Sequence, residues 1–150
     1  MSSKGKVFII DDDELIVSIL ERAMREEGYE VSSLTTSDGA LEKIRAKLPD
    51  VIILDIRLPG DSGIDLLEKI KESGIDAEVI MLTADDTAES AVKSMKLGAA
   101  DYITKPFNIE EVKIVVSNLI EKIHLKRQVE YLKRLKARYF EREFVGVSPS

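Results

Sequence analysis

Within the first 107 residues, short apolar runs alternate five times with amphipathic segments, and nothing else in the sequence restricts the fold as much. The runs lie at 7–10, 31–34, 51–54 and 79–82, with a weaker one at 102–103. Three are near-continuous in Val, Ile and Leu, the pattern of strands covered by helices on both faces. Between them, Ile16, Ile19, Leu20 and Ala23 recur at helical spacing, as do Ala88, Ala91, Val92 and Met95. Ala40, Leu41, Ile44 and Leu48 give a third stripe, and Leu66, Leu67 and Ile70 a fourth. Gly28, Gly74 and Gly98 fall where three of these helices should stop, a position that favours left-handed backbone. Asn108 followed by Glu111 has the form of a capping box opening a last helix. A β-α unit repeated five times predicts an open, doubly wound parallel α/β sheet with right-handed crossovers. In such sheets the functional crevice lies outside the carboxyl ends of the strands.

Composition removes several classes. At 150 residues the chain can bury a substantial core without staples, and it carries no Cys for disulfide or thiolate chemistry. No apolar stretch approaches the roughly 18 residues of a membrane span. Residues 1–6 are polar with no apolar signal region behind them, so export is not expected and a cytoplasmic location is. The charge is uneven. Residues 1–120 hold 14 basic against 24 acidic side chains, whereas residues 121–143 hold 8 against 4. An acidic body with a basic extension reads as two organisational units.

The residues after each run carry the chemistry. Asp11, Asp12 and Asp13 follow the first, Asp55 the third, Thr83 the fourth, and Lys105-Pro106 the fifth. If the first and third strands are neighbours, Asp11, Asp12 and Asp55 converge. Carboxylates that close repel one another, and burial raises their pKa unless a cation intervenes. A hard divalent ion such as Mg²⁺ is the natural one, since it takes oxygen ligands and accepts a phosphate oxygen as a further one. One carboxylate can then attack phosphorus and form an acyl phosphate, and Asp55 is the nucleophile expected. Lys105 and Thr83 are suited to stabilise the charge spread over the transferred group. A single Asp after a strand is commonly a helix cap, and Asp13 and Glu14 are read in that way.

Four segments together resemble a two-component response-regulator receiver domain over residues 5–123. They are Val-Phe-Ile-Ile-Asp-Asp-Asp-Glu (7–14), Pro-Asp-Val-Ile-Ile-Leu-Asp-Ile-Arg-Leu-Pro-Gly-Asp-Ser-Gly (49–63), Val-Ile-Met-Leu-Thr-Ala (79–84) and Leu-Gly-Ala-Ala-Asp-Tyr-Ile-Thr-Lys-Pro-Phe (97–107). The resemblance implies a flavodoxin-like sheet in the order 2-1-3-4-5. It implies Asp55 as phosphoacceptor, Asp11 and Asp12 as the acidic pair holding Mg²⁺ with Asp55, and the backbone carbonyl of Arg57 as a further ligand. It also implies Thr83 as switch hydroxyl, Tyr102 as switch aromatic, Lys105 as phosphate-pairing lysine and a cis Lys105–Pro106 peptide. Three consecutive aspartates offer two possible pairs, and the gap of 44 from Asp11 to Asp55 suits the family better with Asp11 and Asp12. Asp61-Ser62 departs from the commoner Met-Asp of the family. The implied partner is a histidine kinase that donates the phosphoryl group.

From Asn108 there is no Gly or Pro until Gly146, so the last helix is expected to run far beyond the receiver. Val112, Val116, Leu119 and Ile123 form a stripe expected to pack on the sheet. Leu125, Gln128, Leu132, Leu135 and Tyr139 continue at 3-4-3-4 spacing, as in a parallel two-stranded coiled coil, making a second copy the expected partner. His124, the only histidine, is read as a surface or dimer-face residue. Residues 140–150 resemble the start of the ATPase domain of nitrogen-regulatory-class activators that work with sigma-54 RNA polymerase. The expected division is therefore a receiver (1–123), a helical linker (124–143) and the start of an effector ATPase domain (144–150).

Two other functional classes share features with this sequence. A Mg²⁺-dependent phosphatase or phosphotransferase with an aspartyl phosphate usually needs a second acid two residues after the nucleophile, where Arg57 stands here, so turnover of an external substrate is not expected. A nucleic-acid module using the basic helix is opposed by the acidic body and the few aromatics, and no direct nucleic-acid contact is expected.

Overall fold

The structure is a computed structural model and describes residues 3–144. Strands and helices alternate: β1 (Lys6–Ile10), α1 (Glu14–Glu26), β2 (Glu30–Leu34), α2 (Ala40–Lys47), β3 (Val51–Leu54), α3 (Gly63–Glu72), β4 (Glu78–Thr83), α4 (Ala88–Lys96), β5 (Asp101–Thr104) and α5 (Ile109–Phe144). All neighbouring strands pair in parallel, in the order β2-β1-β3-β4-β5. The doubly wound α/β sheet and its flavodoxin-like order are as the sequence implies. The chain forms two compact units, Met1–Ile120 and Glu121–Ser150.

The core of the first unit lies where the apolar runs meet the helices. Phe8, Ile10, Ile52, Leu54, Val79 and Met81 pack with Ile44, Leu66, Leu67 and Ile70 and are buried. Each such side chain contributes roughly 1.5–3 kcal/mol by leaving water. Asp13 caps α1, its Oδ1 accepting from the amides of Leu15 and Ile16. Asn108 Oδ1 accepts from Glu110 N–H at the start of α5. Gly28, Gly74 and Gly98 all have positive φ beyond helix ends, as expected of them.

The helix faces depart from the apolar stripes in three places. In α1 the buried row is Val17, Leu20, Ala23 and Met24; of the expected stripe, Leu20 and Ala23 are buried, Ile16 is half-buried and Ile19 is exposed. Leu15 and Ile19 form a competing apolar row, so periodicity alone could not choose between them. Leu48 lies outside α2 with φ 52° and is exposed, because the helix closes on Ile44 and Pro49 cannot extend it. The third departure is α4, where Val92 and Met95 are 51% and 47% exposed while Ser94 is fully buried. There the inner face uses small residues, Ala91 and Ser94, with Leu97 packed on the core beyond the helix end. In α5, Val112, Val116 and Ile120 are buried, whereas Leu119 and Ile123 are only partly so.

Candidate functional site

Sheet register brings the acidic residues together. Ile10 of β1 lies opposite Leu54 of β3, so Asp11 and Asp55 leave the sheet side by side. The ladder continues one step past the strands, with Asp55 N–H donating to Ile10 C=O at 3.0 Å and Asp11 N–H to Leu34 C=O at 3.1 Å. At the other side, Lys105 N–H donates to Thr83 C=O at 2.8 Å. The Lys105–Pro106 peptide is cis. Main-chain pairing therefore fixes the roots of Asp11, Asp55, Thr83 and Lys105 along one sheet edge.

The side chains then converge. Lys105 Nζ donates to Asp11 Oδ2 at 2.6 Å and to Asp55 Oδ2 at 3.0 Å. Asp11 and Asp55 are only 2% and 5% exposed, while Asp12 opens to solvent. One carboxylate oxygen from each of Asp11, Asp12 and Asp55 lies within 4.8 Å of the others, a group of hard oxygen donors with one open side. That set suits a small divalent cation that keeps some of its waters. Asp11 Oδ1 also accepts from Asp13 N–H at 2.9 Å, and Asp55 Oδ1 from Arg57 N–H at 3.2 Å.

Burial pushes the Asp11 carboxyl above its ordinary pKa, outweighing the hydrogen bonds from Lys105 and the Asp13 amide that pull it down. Burial works to lower the Lys105 ammonium, but its hydrogen bonds to Asp11 and Asp55 prevail and hold it above its ordinary value. The resting pocket thus contains a firmly protonated lysine between two buried acids. Such a pocket has the oxygen donors to hold a hard cation and, in Asp55, a carboxylate of the type that can act as a nucleophile.

Thr83 is fully buried at the end of β4, and its Oγ1 accepts from Asp85 N–H at 3.2 Å. Tyr102, partly buried in β5, donates its hydroxyl to the Asp85 carbonyl. Leu125, Leu132, Leu135 and Tyr139 are exposed on α5. Two residues escaped the sequence reading. Gly63, the first residue of α3, packs so closely that a Cβ there would lie 1.9 Å from the Asp55 backbone oxygen. Asp85 sits where the contacts of Thr83 and Tyr102 meet. A tight loop with a glycine at the helix start hints at the first, whereas nothing local in the sequence marks the second.

Comparison with known proteins agrees with this geometry. The response regulator receiver domain family matches residues 7–117. The nitrogen assimilation regulatory protein NtrX of Azorhizobium caulinodans is 35% identical over 131 residues, covering 86% of this chain and 29% of its own length. The DNA-binding transcriptional regulator NtrC of Escherichia coli K12 is 36% identical over 125 residues, covering 83% and 27% respectively. The chain thus spans under a third of either relative. The beryllofluoride-activated NtrC4 receiver domain dimer superposes with a TM-score of 0.73 at 33% identity, covering 78% of this chain and 97% of that one. With five parallel strands in this order and an aspartate-lysine cluster at their carboxyl edge, the chain belongs to the receiver domain family of two-component response regulators, and its receiver is NtrC/NtrX-like.

Proposed function

We propose that the chain takes a phosphoryl group from a histidine kinase onto Asp55 and converts that event into a change of conformation that controls an attached effector. The observation that carries the reading is Lys105 Nζ bridging Asp11 and Asp55 in a nearly closed pocket. In the transfer, an Asp55 carboxylate oxygen bonds to phosphorus while the donor's phosphorus–nitrogen bond breaks, the imidazole nitrogen leaving with the electron pair. Lys105 pairs with a phosphoryl oxygen, and the Thr83 hydroxyl donates to another. Receiver domains hold Mg²⁺ at an acidic cluster, and Asp11, Asp12, Asp55 and the Arg57 carbonyl would hold it here. When bound, the ion neutralises charge developing on the transferred oxygens. Thr83 and Tyr102 act as the switch. No turnover of an external substrate belongs to this function.

The same reading divides the chain into a receiver (1–123), a linker (124–143) and the start of a sigma-54-type effector ATPase (144–150), of which residues 145–150 lie outside the described ones. It makes Leu125, Leu132, Leu135 and Tyr139 the contact between two copies and places the protein in the cytoplasm. Among the described residues, no helix is long and apolar enough to cross a membrane.

Radiolabelled acetyl phosphate with Mg²⁺ tests the acceptor. Wild type should take up hydroxylamine-sensitive label, and Asp55→Asn should take up none. Label retained in Asp55→Asn would remove Asp55 from the role.

A further inference from the structure

The loop that carries Asp55 joins β3 to α3 over residues 55–62, and past Ile56 burial does little to hold it. Arg57, Pro59, Gly60 and Asp61 are exposed and Leu58 is half-buried. Its tip is gripped by the loop between β2 and α2, residues 35–39. The Pro59 carbonyl accepts from Ser37 Oγ at 3.0 Å, from Thr36 Oγ1 at 3.1 Å and from Ser37 N–H at 3.3 Å. Thr36 Oγ1 in turn accepts from Asp38 N–H at 3.2 Å, which leaves its proton for Pro59. The two loops come so close at Gly60 that a Cβ there would lie 2.6 Å from Ser37 Oγ, and the φ of this glycine is 87°. Nearer the root of the loop, Arg57 N–H donates to Asp55 Oδ1 at 3.2 Å. Asp61 pairs with Lys69 of α3, a contact that fastens the loop to its own helix.

We propose that Thr36 and Ser37 are positioning residues for the acidic cluster: by holding the Pro59 carbonyl they fix the Arg57 main chain, and through it the affinity of the cluster for a divalent cation. The inference rests on the reading of Asp11, Asp12, Asp55 and the Arg57 carbonyl as the ligands of that cation. On this reading Arg57 serves the site twice from its backbone, its amide steadying one Asp55 oxygen and its carbonyl supplying a ligand. Pro59 stands only two residues further on. Its ring locks its own φ and restricts Leu58 before it to extended backbone. An anchor on the Pro59 carbonyl therefore reaches Arg57 through a short stretch with few free torsions. Ordering an exposed loop costs conformational entropy, and a loop already ordered spares the incoming ion that cost. Without the two hydroxyls the loop samples more arrangements, and the ion must select the one that binds it. Affinity falls, while the site once filled is the same.

The test uses the full chain and Mg²⁺ itself, with the dissociation constant read by isothermal titration calorimetry. Thr36→Val combined with Ser37→Ala removes both hydroxyls and keeps the amide of residue 37. It should raise the constant about threefold or more, the scale of one or two lost hydrogen bonds. The exchange of Thr36→Ser with Ser37→Thr keeps both hydroxyls and should stay within about twofold of wild type. Label uptake from acetyl phosphate by the hydroxyl-free variant should be reduced when Mg²⁺ is near the wild-type constant. At saturating Mg²⁺ it should return to within about twofold of wild type, as for residues that prepare the site and take no part in the transfer. An unchanged constant in the hydroxyl-free variant overturns the proposal. So does an exchange variant that binds as weakly, or an uptake deficit that saturating Mg²⁺ leaves in place. If the double variant fails to fold, Ser37→Ala alone must still weaken Mg²⁺ binding, and an unchanged constant overturns the proposal. Wild type that neither binds Mg²⁺ nor takes label overturns the reading of the acidic cluster, whereas failure confined to the variants overturns the proposal alone.

Discussion

Lys105 balances the charge of the pocket, since its ammonium is what allows Asp11 and Asp55 to lie buried together. Removing it leaves two acids facing each other without a counter-charge. Lys105→Ala should lose about 2–4 kcal/mol in metal-free urea unfolding, less than for a wholly enclosed pair because the ammonium keeps some water. Added Mg²⁺ should narrow that deficit, because an ion that binds only the folded form stabilises it. An equal Mg²⁺ gain in wild type and variant would show that the lysine and the ion do not share these acids. Asp11, Asp12, Asp55, Thr83 and Lys105 were readable in the sequence because strand ends in a doubly wound sheet have a fixed address. Asp85 was not, because its contacts with Thr83 and Tyr102 depend on the path of a loop that no periodicity describes. Gly63 lay within a quoted motif, but only coordinates reveal how closely it presses on the Asp55 main chain.

At the scale of elements, the strands were legible almost to the residue and the helix faces less so. Continuous Val-Ile-Leu runs have one interpretation in a covered parallel sheet. A helix with two adjacent apolar rows, as α1 has, can bury either, and packing against the sheet selects Val17 and Leu20 over Ile19. In α4 the rule that apolar residues face inward fails outright, since small Ser94 is buried while Val92 and Met95 face solvent. The end of α2 offers a clean test. Leu48 holds a left-handed conformation that costs an L-residue about 1–2 kcal/mol, and its exposed side chain has little packing to lose. Leu48→Gly gives back part of that gain through its greater freedom when unfolded. The net effect should be a stabilisation of about 0.5–1 kcal/mol, seen as a higher urea midpoint with an unchanged slope. A lower midpoint would mean that Leu48 packs better than its exposure indicates.

For the whole molecule, the exposed Leu125, Leu132, Leu135 and Tyr139 define the next measurement. On the proposed reading they meet a second copy, with Gln128 completing the alternating three- and four-residue steps. Sedimentation of the full chain should show a concentration-dependent dimer, and Leu132→Glu with Leu135→Glu should leave monomers. Identical behaviour of the two would locate any self-association elsewhere. The chain forms two compact units, Met1–Ile120 and Glu121–Ser150, and the uneven charge follows the same division. The lysine that bridges the two acids also bears on biogenesis. Its partners stand 94 and 50 positions earlier in the chain, so the bridge belongs to the most non-local contacts of the molecule. A polypeptide still leaving the ribosome, or one clipped before the fifth strand, lacks the cation that completes the pocket. The buried acid pair is thus left without its counter-charge until synthesis has passed residue 105.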